Sequence, residues 1–126
     1  MSVSPQTAAA LVILLVEDEF FVRTDIADFL REAGYVVVEA QTGEEAIAVF
    51  DSGMSIDAVF TDINLTGPVN GWDVAQCFRA DRPNVPVLYT SGKILEPGRS
   101  VPGSVFLSKP YLHTDVLIAC ERLLGK

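Results

Sequence analysis

Four apolar runs punctuate the chain, and each stops on a polar residue. Leu11-Val12-Ile13-Leu14-Leu15-Val16 stops on Glu17-Asp18, Ala58-Val59-Phe60-Thr61 on Asp62, Val85-Pro86-Val87-Leu88-Tyr89 on Thr90, and Val105-Phe106-Leu107-Ser108 on Lys109. The first run shows no polar alternation, which is how a strand covered on both faces reads. If the runs are parallel strands, their polar ends share one rim of one sheet.

Helix-like segments separate the runs. Residues 19–33 place Val22, Ile26, Phe29, Leu30 and Ala33 on one face at helical spacing, with Gly34 where a C-terminal cap belongs. A second strand is expected at 35–39. Thr42-Gly43-Glu44-Glu45 reads as a capping box opening a helix that ends near 51–53. The third strand is expected at 57–61. The loop 64–70 leads into a helix at 71–80, with Val74, Ala75, Cys77 and Phe78 as its buried face and Pro83 just past its end. A fourth strand follows at 85–90, a fifth at 105–108, and a last helix at 113–124 with Val116, Leu117, Cys120, Leu123 and Leu124 as its stripe. Residues 93–104 break the regularity with Pro97, Gly98, Pro102 and Gly103. Within a helix Pro costs about 3 kcal/mol and Gly about 1, so the fourth helix is expected to be irregular or shortened.

Strands alternating with helices imply an α/β fold, a doubly wound five-stranded parallel sheet with helices on both faces. The flavodoxin-like order 2-1-3-4-5 sets strands one and three side by side, and ligands in such sheets bind beyond the carboxyl ends where the order reverses. The acids at 17–18 and 62 fall at that point.

The totals narrow the function. The 126 residues suit one domain, and 49% hydrophobic content predicts a packed core. We read 1–9 as a flexible N-terminal arm and 10–126 as the domain. A net charge of −8 argues against nucleic acid as partner, and no basic run suggests a membrane surface. Residues 8–16 resemble a signal-peptide core, but no Lys or Arg precedes them and Glu17-Asp18-Glu19 follows directly. A cytoplasmic protein is expected. Cys77 and Cys120 read as buried thiols in a reducing compartment.

Taken singly, each polar ending has an ordinary explanation. Acids at 17–19 suit a helix start, Asp62 a turn, Thr90 a strand, and Lys109 a surface loop. Taken together, Glu17, Asp18 and Asp62 make a site for Mg2+, a hard cation that prefers oxygen, and the Asn64 carbonyl adds a further oxygen. Three crowded carboxylates repel unless a cation or proton joins them. Lys109 can pair with Asp62 and then with a phosphoryl oxygen, and Thr90 can hydrogen-bond another.

With these residues set out, the chain resembles a two-component response-regulator receiver domain of the single-domain, chemotaxis-regulator-like kind, over about 11–124. The resemblance is carried by Leu14-Leu15-Val16-Glu17-Asp18-Glu19, Phe60-Thr61-Asp62-Ile63-Asn64, Val87-Leu88-Tyr89-Thr90-Ser91 and Phe106-Leu107-Ser108-Lys109-Pro110-Tyr111. It implies that Asp62 accepts phosphate from a bacterial sensor histidine kinase or a histidine phosphotransfer protein. Asp18 and Asp62 are implied as direct Mg2+ ligands and Glu17 as acting through water or at longer reach, with Asn64 completing the site and Mn2+ able to substitute. Thr90 and Phe106 are implied as the switch pair, Ser91 and Lys109 as further phosphoryl contacts, and Lys109–Pro110 as a cis peptide. Such a domain is not an enzyme in its own right but assists its own phosphorylation and dephosphorylation.

Several features depart from the family. The acidic pair is Glu-Asp, the loop 63–70 is one residue longer and lacks Met-Pro, and Phe106 has no hydroxyl. With Ser91 and Gly92 small and Asn64 placed to orient water, a short-lived phosphoaspartate is expected. The segment 93–104 is expected to order on phosphorylation. Only Gly125-Lys126 follow the last helix, so a stand-alone receiver acting on a partner protein or in a phosphorelay is expected. Three other readings fit the residues less well. A pseudo-receiver that only binds partners is disfavoured by the complete residue set. An aspartate-nucleophile phosphohydrolase needs an Asp-x-Asp after strand one, and an FMN binder needs a phosphate loop where this chain has acids. His113 reads as a surface residue and Trp72 as packing against the loop.

Overall fold

The apolar runs form the strands expected of them. The computed structural model describes residues 10–92 and 99–125. Strands β1 (Val12–Val16), β2 (Val36–Ala40), β3 (Ala58–Asp62), β4 (Val87–Ser91) and β5 (Val105–Ser108) alternate with helices α1 (Phe20–Glu32), α2 (Gly43–Asp51), α3 (Gly71–Asp81) and α4 (His113–Leu124). The strands pair in parallel in the order β2-β1-β3-β4-β5. Central strands β3 and β4 are buried throughout and β1 nearly so, whereas edge strand β5 alternates half-buried with exposed.

Strand periodicity splits the core in two. Leu14, Val16, Val59, Val87 and Tyr89 face the α2 and α3 side, with Ala46, Val74, Ala75 and Phe78. Ile13, Leu15, Ala58, Phe60 and Leu88 face the α1 and α4 side, with Ile26, Ala27, Leu30, Val116, Ala119 and Cys120. Burying each large aliphatic chain contributes about 1.5–3 kcal/mol, so both faces must be covered.

Helix ends follow the capping signals, with differences. Thr42 Oγ1 accepts the Glu45 N–H at 3.0 Å, but the Glu45 carboxylate takes the Gln41 N–H rather than that of Thr42, so the expected box is half closed. The reciprocal box lies instead at α3, where Asn70 and Asp73 each accept the other's N–H. Gly34 has φ of 101°, the left-handed region that favours glycine. Cys77 is half-buried rather than buried, and both cysteines are free. Trp72 packs edge-on to Tyr89 of β4 at 4.7 Å and lies against the core cluster that also holds the loop residue Leu65.

The arm at 1–9 and residues 93–98 of the irregular segment lie outside the described residues. Residues 100–104 form no helix; they turn at Pro102-Gly103. Val101 is buried, and its N–H donates to the Tyr89 hydroxyl at 3.2 Å. Among the described residues no helix is long and apolar enough to cross a membrane.

Candidate functional site

Parallel register brings the polar strand ends together. Val16 lies opposite Thr61, Asp62 opposite Thr90, and Ser91 opposite Ser108. Backbone bonds carry each ladder one step further, from Glu17 N to the Ala40 carbonyl, Ile63 N to that of Thr90, and Lys109 N to that of Ser91. The residues that follow the strands are therefore pinned before their side chains are considered.

Glu17, Asp18 and Asp62 each present a carboxylate oxygen within 4.8 Å of the others. Glu17 and Asp62 are buried and Asp18 half-buried. The Lys109 ammonium reaches across from β5 to Glu17 Oε1 at 2.8 Å and Asp62 Oδ2 at 3.1 Å. Three carboxylates thus meet one ammonium, an excess of two negative charges that a divalent cation would balance. Hard oxygen donors of this kind fit Mg2+.

The electrostatics follow the burial. Burial pushes the Glu17 carboxyl above its ordinary value, against the Lys109 and Glu19 hydrogen bonds that lower it. Burial alone would depress the Lys109 ammonium, but hydrogen bonds and charge from Glu17 and Asp62 outweigh it and hold the group well above its usual range. For Asp18, burial raises the carboxyl, yet bonds from Thr66 prevail and leave it below its ordinary value.

The remaining expected residues fall around this centre. Asn64 is exposed, and its side-chain amide donates to Ser91 Oγ at 3.1 Å. Thr90 is buried beside Asp62 on the adjacent strand. Phe106 lies opposite Tyr89 of β4 in the strand register and is 40% exposed. Lys109–Pro110 is cis, as expected. His113 is at the surface, with Nε2 2.7 Å from Asp25 Oδ2 and its ring stacked on Phe29.

Two contributors escaped the sequence reading. Thr66 donates both its N–H and its hydroxyl to Asp18. Arg23 on α1 donates to the Glu17 carbonyl at 2.8 Å and also pairs with Glu39. For Arg23 the i+6 spacing from Glu17 was a faint signal; for Thr66 the longer loop was the only hint. Such a cluster can hold a divalent cation beside a buried carboxylate nucleophile and neutralise an incoming phosphoryl group.

The response regulator receiver domain model matches residues 13–119. A response regulator receiver protein from Sinorhizobium medicae WSM419 is 36% identical with a TM-score of 0.89, over 92% of this chain and 95% of that one. The receiver domain of sensor histidine kinase PA1611 from Pseudomonas aeruginosa PAO1, solved with a magnesium ion in its active-site cleft, is 25% identical with a TM-score of 0.80, over 94% and 100%. The alkaline phosphatase synthesis transcriptional regulatory protein SphR of Synechococcus elongatus is 31% identical over 98% of this chain and 52% of its own length. The chain spans about half the length of the curated relatives it matches.

Proposed function

The chain belongs to the response regulator receiver domain family, and from that premise we propose that it is a Mg2+-dependent phosphoacceptor whose acceptor is Asp62. The observation that carries this reading is the buried Asp62 carboxylate, joined by Glu17 and Asp18 and bonded to the Lys109 ammonium. The donor is a phosphohistidine on a sensor kinase or phosphotransfer protein. An Asp62 carboxylate oxygen attacks phosphorus, a P–O bond forms, the P–N bond breaks, and the imidazole leaves.

Glu17, Asp18, Asp62 and the Asn64 carbonyl would hold Mg2+, and Mn2+ would be accepted in its place. When bound, the ion offsets negative charge on the phosphoryl oxygens. Lys109 exchanges its Asp62 contact for a phosphoryl oxygen, and Thr90 and Ser91 offer hydroxyls from the neighbouring strand. Phe106 turns inward once Thr90 is engaged, a switch by packing alone because its ring has no hydroxyl. The changed β4–β5 face is then read by a partner protein or relay. Gly92 is exposed with almost nothing near it, and Asn64 is open to water. The acyl phosphate is therefore short-lived, and a half-life of many hours in Mg2+ buffer would contradict this.

Acetyl phosphate with Mg2+, read by intact mass, tests the proposal. Wild type gains a labile phosphoryl adduct; Asp62→Ala and EDTA-treated protein do not. An unmodified wild type would instead favour a domain that only binds partners.

A further inference from the structure

We propose that Thr66 is a positioning residue for the metal ligand Asp18, an inference that rests on the Mg2+ reading above. Two Thr66 donors converge on one oxygen: the backbone N–H lies 3.0 Å and the hydroxyl 2.7 Å from Asp18 Oδ2. Asp18 is only half-buried, so water can compete for its carboxylate oxygens, and the two Thr66 donors hold one of them against that competition. Engaging Oδ2 from two directions fixes the carboxylate plane and leaves Oδ1 for the cation. Hydrogen bonds to the second oxygen of a ligating carboxylate are a general means of orienting it.

The donor is itself held. Leu65, the preceding residue, is buried, and its N–H bonds the Ile63 carbonyl at 3.2 Å. Gly67, which follows, has φ of 100°, a conformation suited to glycine. Val69 packs directly on Gly43 at the start of α2, and Asn70 caps α3. The hydroxyl is thus presented from an anchored stretch, not from a swinging tip.

Isothermal titration with MgCl2, beside thermal melts in EDTA, tests this on the full chain as wild type, Thr66→Val and Thr66→Ser. The Val variant keeps the backbone donor and the shape but loses the hydroxyl. Its Mg2+ Kd should rise about tenfold, with Thr66→Ser near wild type and all three melting alike in EDTA. Equal or tighter binding by Thr66→Val, or a Ser variant no better than Val, overturns the proposal. If Thr66→Val also melts early, the Ser-to-Val difference in affinity decides. A wild type that shows neither heat nor stabilisation with Mg2+ overturns the metal reading and the role of Thr66 with it. Binding by wild type that Thr66→Val matches overturns the role of Thr66 alone.

Discussion

The Lys109 ammonium lies 2.8 Å from Glu17 and 3.1 Å from Asp62, and it is the cation that lets two buried carboxylates share a rim. Removing one partner of a buried ion pair costs 3–5 kcal/mol, and the partial exposure of Lys109 reduces that to about 1–3. Lys109→Met should lose that much in EDTA by urea denaturation and recover more stability from Mg2+ than wild type does. Cys120 sets a pH dependence in the core: burial pushes its thiol from 9.0 up to about 12. Below pH 9 both states keep the proton. Above it the unfolded chain loses the proton first, so stability falls as pH rises from 9 toward 12. Urea midpoints from pH 8 to 10.5 should decline less steeply for Cys120→Val. Asp62 and Lys109 were legible in the sequence because each ends an apolar run. Thr66 was not, because its partner is 48 positions away and only the folded loop joins them.

Among the elements, α3 bears most directly on the acceptor. Its first residue, Gly71, lies so close to Asp62 and Ile63 that a Cβ there would collide with the Asp62 carbonyl oxygen and the Ile63 Cα. Both are backbone atoms, so the strand end or the helix must move. Gly71→Ala should cost about 1–3 kcal/mol in chemical denaturation and slow modification of Asp62 by acetyl phosphate, because the acceptor shifts with its own backbone. The strands and helices were readable from period and punctuation. Finer contacts were not: which N–H the Glu45 carboxylate takes, and that Trp72 meets Tyr89, depend on side-chain geometry that residue spacing does not encode.

At the scale of the molecule, the strand order could be anticipated because unbroken apolar runs need cover on both faces, and right-handed crossovers leave few ways to supply it. That order alone sets Glu17, Asp18 and Asp62 side by side, so fold and site were legible together. Phe106 was less so: its strand was clear, but whether its ring faces in or out is set by packing on an edge strand. A ligand that binds only the folded state stabilises it by about 2.7 kcal/mol at a hundredfold excess over Kd. Saturating Mg2+ should therefore raise the melting temperature of wild type, and Asp18→Asn should abolish most of that rise. The most direct measurement of the central claim is chemical trapping of the modified residue. The chain is phosphorylated with acetyl phosphate and Mg2+, reduced with borohydride, and mapped by peptide mass spectrometry. The account predicts homoserine at position 62 and no reduced carboxylate elsewhere; an unreduced Asp62, or in its place homoserine at Asp18 or another aspartate, or 2-amino-5-hydroxypentanoate at Glu17, would contradict it.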